Sequence, residues 1–365
     1  MDKIYTSLGL MSGTSLDGID ASIISSDGEK VINIEKNQYF PYENDFKSKM
    51  REFIENCDGI NFINKNQQNY NNLERELTMF HAEISNQVIR DFQNNIDLIG
   101  FHGQTIIHKP DQKYSIQMGD GRLLSQILQK KVIYDFRRND LENNGTGAPL
   151  ACIYHYNISK KLKISEPVIF LNIGGISNIT KIFQEELEAK DIGPGNILID
   201  SYFRKKGNSE FDKDGLVGSL GNIDYEIVKE KLESEFYNVR EKHSLDIKDF
   251  DYSFIRGLAF NDAVATLTYF TASILSEFFN KNCHNVSTII LCGGGRKNKT
   301  LINHLENLTK KNLLLIDTFK LDGDFIESQA FAYLSIRSLM KKNISFPKTT
   351  KVVKPITGGV LIKNF

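Results

Sequence analysis

The chain has 365 residues, of which 40% are hydrophobic and 25% are charged; these are ordinary values for a folded protein, and the length suits two hydrophobic cores. Its 45 basic and 46 acidic side chains leave a formal net charge of -1, which excludes a global field that would hold nucleic acid or an anionic membrane. The four cysteines lack CxxC spacing, and neither a secretion signal nor an apolar run near the roughly 20 residues of a membrane helix is present, so we expect a soluble cytoplasmic protein.

Strand-like and helix-like segments alternate along the chain, as expected for an α/β protein. The opening stretch KIYTSLGLM predicts a strand, and residues 20–25 and 30–40 predict two more, joined by tight turns into a meander. A Rossmann unit would instead place a helix directly after its glycine loop. Helical periodicity follows at 44–56 and 69–92, before a buried strand at 96–103.

The same order of elements returns after residue 150. Three predicted strands, PVIFLNIGG, SNITKIF and one ending in AKDIGPGN, come first, and helices and further strands follow. A last helix is predicted at 326–340. The repeated order predicts two related α/β lobes, with residues 1–136 and about 341–365 in lobe I and residues 137–340 in lobe II.

The first turn, GLMSGTSLDGID from Gly9 to Asp20, has the composition of a loop that cradles phosphate. Its glycines expose backbone N–H groups, and the hydroxyls of Ser12, Thr14 and Ser15 could donate to the same oxygens. Asp17 could orient waters around a Mg²⁺ ion that arrives with a nucleotide, without being a direct ligand. A hairpin turn with no further function is the alternative.

Two further glycine clusters favour a nucleotide site. Gly174 and Gly175, in NIGGISNIT, form a second turn between strands at the matching point of the second half, where they could hold phosphates from the other side. The glycines of CGGGRKN, residues 293–295, follow a strand and precede a helix, and we predict that they contact the adenosine part. Ordinary turns are the alternative for both clusters.

Asp191 is the candidate general base. In AKDIGPGN it ends a predicted strand and is followed by glycines before a helix, a placement that suits a carboxylate that deprotonates a nucleophile. The alternative is an N-cap of that helix. Thr105, Arg137 and Asp140 lie in glycine-containing polar segments near predicted strand ends, and we predict that they bind substrate hydroxyls or a carboxylate. We predict no direct metal site in the chain.

As an ordered set, GLMSGTSLDGIDAS, FHGQTIIHKP, QMGDG, NIGGISNIT, DIGPGNILID, CGGGRKN and IESQAFAYL resemble the anhydro-N-acetylmuramic acid kinase family over nearly the whole chain. The resemblance implies the fold shared by actin, hexokinase and the Hsp70 ATPase, in which two lobes close over ATP. It also implies a kinase that hydrolyses the 1,6-anhydro ring of anhydro-N-acetylmuramic acid while phosphorylating O6, in bacterial peptidoglycan recycling. A homodimer is a further implication.

The resemblance also assigns roles to residues. It makes Asp191 the base that activates water. The implied nucleotide contacts, with Mg²⁺ carried by ATP, are Gly13, Thr14, Ser15, Leu16, Asp17, Gly18, Ile19, Asp20, Gly174, Gly175, Gly293, Gly294 and Gly295. The implied sugar contacts are Thr105, Arg137, Asp140, Gly193, Asn196 and Glu327. The chain departs from the family pattern at Ile192, at Asn143 and Asn144, and at Arg296, where a smaller residue is expected.

Two other functions stay open at this point. A conventional amino-sugar kinase would use the same lobes and an aspartate base, with a sugar hydroxyl in place of water as the nucleophile. A nucleotide-switched binding protein of the actin or Hsp70 kind would instead couple ATP to contacts with a partner protein. The sequence has no acidic tail and no linker to a partner-binding domain, which disfavours this second function.

Overall fold

The computed structural model describes residues 3–207, 209–233, 245 and 249–365. The chain divides into two compact units, Met1–Ile164 with Phe325–Phe365, and Ser165–Asp324. Each unit contains its own β-sheet with helices packed against it, which confirms the predicted α/β class with two lobes. No helix within the described residues is long and apolar enough to span a membrane.

The first unit is built on a seven-stranded mixed sheet. Its strands are β1 (Tyr5–Ser12), β2 (Gly18–Ser26), β3 (Ile32–Pro41), β4 (Leu98–Lys109), β5 (Tyr114–Met118), β6 (Lys131–Tyr134) and β12 (Val360–Ile362). They lie in the order β12-β6-β4-β1-β2-β3, and β5 pairs with the second half of β4. Strands β1 to β3 are antiparallel, which confirms the predicted meander, whereas β4 and β6 continue the sheet parallel to β1.

Helices of the first unit cover this sheet. They are α1 (Asn44–Asn56), α2 (Ile60–Lys65), α3 (Gln67–Arg90), α4 (Gly121–Leu128), α5 (Arg138–Glu142), α6 (Cys152–Lys161), α11 (Ile326–Leu339) and α12 (Pro347–Thr350). The periodic residues Leu73, Leu77, Ile84 and Val88 of α3 are buried in one core with β1 and β2, because a spacing of three and four residues places them on one face. The predicted helices at 44–56 and 69–92 are confirmed to within two residues at each end.

The second unit is built on a five-stranded sheet. Its strands are β7 (Val168–Ile173), β8 (Ile176–Phe183), β9 (Glu186–Pro194), β10 (Thr288–Cys292) and β11 (Asn312–Leu315), and its helices are α7 (Ile197–Lys206), α8 (Tyr225–Leu232), α9 (Phe260–Asn282) and α10 (Lys299–Thr309). A short 3-10 helix, Gly294–Lys297, lies between β10 and α10. Strands β7 to β9 are antiparallel, and β10 and β11 run parallel to β7.

The two sheets repeat one topology. The order β3-β2-β1-β4-β6 in the first unit corresponds to β9-β8-β7-β10-β11 in the second. In each, an antiparallel meander of three strands is followed by two parallel strands beside its first member. The β1–β2 turn and the β7–β8 turn therefore occupy the same point of the repeat, as the sequence predicted.

The unit boundaries differ from the predicted lobe boundaries of 136/137 and 340/341. Helix α11 belongs to the first unit because it packs directly on the first sheet. A Cβ at Gly9 of β1 would lie 2.0 Å from the carbonyl oxygen of Ser328, and one at Gly100 of β4 would lie 2.3 Å from that of Phe331. The two glycines thus let the helix backbone approach both strands. Helix α6 packs against α11 and β3, which brings the segment before Ser165 into the same unit.

Candidate functional site

The β1–β2 turn of the first unit has a polar, exposed tip. The backbone N–H of Leu16 donates to the carbonyl oxygen of Gly13 at 3.2 Å, which closes a four-residue turn. Thr14, Ser15 and Asp17 are exposed, whereas the side chain of Leu16 is buried. The hydroxyl of Ser15 donates to Oδ1 of Asp17 at 2.6 Å. The tip thus offers hydroxyls, a carboxylate and backbone groups to solvent, while Leu16 can contribute only its backbone to a ligand.

The remaining predicted residues of this loop lie in strand β2. Gly18 and Ile19 are buried, and Asp20 is half-buried. A Cβ at Gly18 would lie 2.2 Å from the carbonyl oxygen of Phe40 on β3, so the glycine is required by close packing of the two strands. Gly18 and Ile19 therefore support the turn through buried packing and are not exposed at its tip.

Tyr42 fixes both ends of the β1–β2 turn. Its hydroxyl donates to the Oγ of Ser12 at 2.8 Å, and that Oγ donates to Oε1 of Gln104 at 2.5 Å. Its backbone N–H donates to the carbonyl oxygen of Asp17 at 3.0 Å. Ser12 is fully engaged here and buried, contrary to its predicted use as a donor to phosphate. Sequence analysis missed Tyr42 and Gln104, because a tyrosine after a strand and a strand glutamine form no recognisable motif.

Arg137 and Asp140 hold one backbone position, Gly147, from two sides. Nη1 of Arg137 donates to the Gly147 carbonyl oxygen at 2.7 Å, and Oδ1 of Asp140 accepts the Gly147 N–H at 2.6 Å. Asp140 is 1% exposed, so its carboxylate shapes the loop at 143–149 and does not meet solvent. Both predicted sugar contacts, Arg137 and Asp140, are thus hydrogen-bonded to this loop. They determine the shape of the loop, and the loop is the surface that a ligand would contact.

Burial and a contact with Arg137 together keep His102 neutral. Nη2 of Arg137 donates to Nε2 of His102 at 2.9 Å, and Nδ1 of His102 donates to the carbonyl oxygen of Gly103 at 2.8 Å. Burial, and then the positive charge of Arg137, hold the pKa of His102 well below its ordinary value. The imidazole is therefore neutral and serves as an acceptor for the guanidinium.

Thr105 and Glu327 complete the predicted sugar contacts of the first unit. Thr105 lies half-buried in β4, where its Oγ1 accepts a hydrogen bond from Nε2 of Gln117 at 3.3 Å. Glu327 lies half-buried in the first turn of α11, where a carboxylate interacts favourably with the helix dipole. Thr105 thus makes a side-chain hydrogen bond within the fold, and Glu327 has a favourable position at a helix N-terminus.

In the second unit, several predicted residues meet at one edge of the sheet. The carbonyl oxygen of Gly174 accepts the N–H of Asn196 at 2.8 Å, and that of Gly175 accepts the N–H of Gly195 at 2.8 Å and of Ile197 at 3.2 Å. A Cβ at Gly195 would lie 2.1 Å from the Gly174 carbonyl oxygen. The β7–β8 turn is thus bound through its carbonyl groups to the start of α7.

The third glycine cluster joins the same edge. A Cβ at Gly293 would lie 2.8 Å from the carbonyl oxygen of Ile173, and one at Gly295 would lie 2.2 Å from a side-chain methyl of Ile173. Gly294 is exposed, and no atom of the described residues lies within 4 Å of its Cβ position. We call the group Gly174, Gly175, Gly195, Gly293, Gly294 and Gly295 the glycine edge.

Asp191 lies on β9, which leads into the glycine edge through Gly193. The strand continues to Pro194, so Asp191 is three residues before its end, and it pairs in register with Asn178 of β8. Its carboxylate is half-buried, and Oδ2 accepts the backbone N–H of Leu245 at 3.2 Å. The N-cap of α7 is Asn196, so the alternative of Asp191 as an N-cap is wrong.

Asp17 is the candidate contact for a Mg²⁺ ion that arrives with a phosphate ligand. The described residues contain no group of three or more histidine, cysteine, aspartate or glutamate side chains placed to hold one. The exposed carboxylate of Asp17 at the tip of the β1–β2 turn is an oxygen donor of the kind that interacts with the water shell of Mg²⁺. The residues present therefore fit a Mg²⁺ ion bound to phosphates.

Comparison with known proteins gives consistent matches along the chain. The family model of anhydro-N-acetylmuramic acid kinase matches residues 5–364. The anhydro-N-acetylmuramic acid kinase of Pelagibacter ubique is 46% identical, with 100% of both chains covered. The enzyme of that name from Zymomonas mobilis is 38% identical over 96% of this chain and 98% of its own, and that from Agrobacterium fabrum is 35% identical over 100% of both.

Solved structures give weaker similarity. The activator of the 2-hydroxyisocaproyl-CoA dehydratase from Clostridium difficile with bound ADPNP is 13% identical and covers 93% of this chain and 99% of its own, with a TM-score of 0.45. A ROK family glucokinase from Streptomyces griseus in complex with glucose and AMPPNP is 11% identical and covers 90% of this chain and 98% of its own, with a TM-score of 0.43.

Proposed function

The chain belongs to the anhydro-N-acetylmuramic acid kinase family and is an ATP-dependent sugar kinase, and from this premise we propose that it opens the 1,6-anhydro ring of anhydro-N-acetylmuramic acid with water while phosphorylating O6. The products are N-acetylmuramic acid 6-phosphate and ADP. The family match extends over residues 5–364, so it includes every residue to which the proposal gives a role.

The observation that carries the mechanism is the placement of Asp191 on the strand that leads into the glycine edge. In the proposed reaction its carboxylate takes a proton from water as the water oxygen bonds to the anomeric carbon. The bond between the anomeric carbon and O6 breaks, O6 bonds to the γ-phosphorus of ATP, and ADP leaves with the electron pair of the broken phosphoanhydride bond.

The proposal assigns nucleotide contacts to two turns, each considered within its own unit. The exposed tip at Thr14, Ser15 and Asp17 offers hydroxyl and backbone donors for phosphate oxygens. The exposed Gly294 offers a backbone surface without a side chain, which suits the adenosine part. A Mg²⁺ ion bound with ATP would neutralise charge on the phosphates, and Asp17 would orient its water shell.

The sugar contacts of the proposal centre on the loop that Arg137 and Asp140 hold. Since both side chains bind Gly147, they would act on the sugar mainly by fixing this loop. Thr105, Gly193, Asn196 and Glu327 are the other proposed contacts.

Location and assembly are part of the proposal. First, a substrate released from the cell wall and an ATP supply fit a cytoplasmic enzyme of peptidoglycan recycling. Second, we propose that the protein forms a homodimer. Gel filtration with light scattering measures the second point: a mass near that of one 41.6 kDa chain would contradict it.

The test of the function combines isotope labelling with one substitution. In water enriched in oxygen-18, with ATP, Mg²⁺ and the anhydrosugar, we expect a 6-phosphate product that carries the label at its anomeric hydroxyl. Asp191→Asn should lower kcat by about 10²–10⁴-fold while ADP still binds. Glu188→Gln is the matched control, because Glu188 lies on the same strand with an exposed side chain that pairs with Lys181.

Three other experimental outcomes would each contradict one part of the proposal. Turnover of reducing amino sugars alone would indicate a conventional sugar kinase. ADP release that is independent of sugar and rises with a protein partner would indicate a nucleotide-switched binding protein. Full activity of Asp191→Asn would reject Asp191 as the base.

A further inference from the structure

A buried guanidinium holds the glycine turn that follows β10. Nε and Nη2 of Arg296 donate to Oδ2 and Oδ1 of Asp317 at 2.7 and 2.9 Å, which is a bidentate pair. Nη1 donates to Oδ1 of Asp324 at 2.5 Å and to the carbonyl oxygen of Gly293 at 3.0 Å. The side chain of Arg296 is 3% exposed. The guanidinium therefore connects the backbone of the turn to two aspartates from a later segment.

That later segment covers one side of the turn. The backbone N–H of Gly293 donates to the carbonyl oxygen of Gly323 at 3.2 Å. A Cβ at Gly323 would lie 2.4 Å from Nε of Arg296, so the chain passes directly against the guanidinium. On the other side, Gly294 is exposed with no described atom within 4 Å of its Cβ position. The turn is thus fixed from one side and open on the other.

The charges of this group are strongly coupled. Nη2 of Arg296 also lies 3.5 Å from Oδ1 of Asp322, and the ammonium group of Lys297 pairs with Asp324. Burial opposes the charge of Arg296, but its hydrogen bonds with Asp317 and Asp324 raise its pKa above the ordinary value. The hydrogen bond from Arg296 lowers the pKa of Asp317. Both partners of the bidentate pair therefore stay ionised at neutral pH.

We propose that Arg296 is a positioning residue for the nucleotide: it holds the Gly293–Gly295 turn in the shape that accepts the adenosine part, and so sets the affinity for ATP without acting in phosphoryl transfer. The inference rests on the proposed function, in which this turn contacts adenosine. A lysine could supply the charge but not the planar fork that engages Asp317, Asp324 and the Gly293 carbonyl together.

The test separates nucleotide affinity from catalytic rate. Arg296→Lys and Asp317→Asn each break the bidentate pair, and we expect each to raise KM for ATP and Kd for ADP by roughly tenfold, with kcat within about twofold. Lys297→Ala is the matched control, because it removes an exposed pair with the same Asp324, and we expect a change below about twofold. Calorimetric titration with ADP and circular dichroism accompany the kinetics, so that folding and binding are measured separately.

The outcomes distinguish the inference from the proposed function. Unchanged KM and Kd in a folded Arg296→Lys protein would overturn the inference. Lower kcat at unchanged KM and Kd would also overturn it, because that result would assign Arg296 to the catalytic rate and not to nucleotide affinity. If Arg296→Lys does not fold, Asp317→Asn decides by the same criteria. Because ADP titration needs no sugar, it tests the inference even if the wild-type protein phosphorylates no sugar, which would reject the proposed function alone.

Discussion

Two turns with proposed nucleotide contacts are held in different ways. The β1–β2 turn is fixed by neutral groups, because Tyr42 binds the hydroxyl of Ser12 at one end and the backbone of Asp17 at the other. The Gly293–Gly295 turn is fixed by ions, because Arg296 binds Asp317 and Asp324. Neutral hydrogen bonds thus hold the shape of the first glycine-containing turn, and ion pairs hold the shape of the second.

The difference has consequences for stability. A neutral hydrogen bond contributes about 1 kcal/mol and responds little to pH or salt. Removal of one member of a buried ionic group costs more, because the remaining charges lose their partner. The ionic turn should therefore be more sensitive to substitution and to acid than the neutral turn.

The largest effect is expected for Arg296→Met. The substitution leaves Asp317 and Asp324 without the guanidinium, and we expect the free energy of unfolding to fall by about 2–3 kcal/mol. This is less than the roughly 3–5 kcal/mol of a fully buried pair, because the side chains of Asp317 and Asp324 are 40% and 33% exposed. Urea unfolding followed by circular dichroism measures the loss. A loss below that of Tyr42→Phe would contradict the contrast between the two turns.

Acid should remove this stabilisation. The pKa of Asp317 is lowered by its hydrogen bond with Arg296, and that of Asp324 is lowered by Lys297 and Arg296 against the effect of burial. Carboxyl groups with lowered pKa stabilise the fold above their unfolded pKa of about 4 and lose that contribution as pH falls through the folded value. The difference in unfolding free energy between the wild-type protein and Arg296→Met should be constant from about pH 7 to 5.5 and shrink below about pH 4. A difference that grows in acid would reject this interpretation.

A pair of glycine substitutions compares backbone packing at two turns. A Cβ at Gly195 would lie 2.1 Å from the Gly174 carbonyl oxygen, whereas the nearest atom to a Cβ at Gly13 is Oγ of Ser15 at 3.6 Å. Gly195→Ala should therefore cost about 1–3 kcal/mol through displaced backbone, and Gly13→Ala should stay within about 0.5 kcal/mol. Thermal unfolding of the two variants tests this; equal losses would show that the two turns are packed alike.

A smaller loss than that of Arg296→Met is expected for Tyr42→Phe. It removes only the hydroxyl that donates to Ser12, so we expect a loss of about 1 kcal/mol. Burial raises the pKa of the Tyr42 hydroxyl above its ordinary value, so the loss should not change between neutral pH and acid. Tyr39→Phe is the control, because Tyr39 is 44% exposed on β3. A loss that varies with pH would show that a charged group takes part in this turn.

Much of the fold could be predicted from the local pattern. The opening meander, the helices α1 and α3 and the second meander follow from apolar periodicity and turn residues, and they are confirmed. The unit boundaries could not be predicted, because the contact of α11 with β1 and β4 depends on Gly9 and Gly100. A glycine within a strand has no periodic signal that shows what packs over it.

The candidate site was predicted unevenly. The glycine clusters and Asp191 are recognisable in the sequence, and their roles in binding and catalysis stay predictions. Tyr42, Gln104 and the partners of Arg296 were missed, since each acts through a residue distant in sequence. Arg137 and Asp140 were found as polar residues near a strand end, but their shared hold on Gly147 is visible only in the structure.

The sequence by itself determined the family, the kinase class and the order of strands and helices, because ordered motifs and apolar periodicity are properties of neighbouring residues. Only the tertiary structure decided where the units divide, which carbonyl groups the turns use, and whether a turn is held by neutral or ionic partners. Those features depend on contacts between residues far apart in the chain, and the energy of each contact depends on burial and geometry that no local pattern encodes.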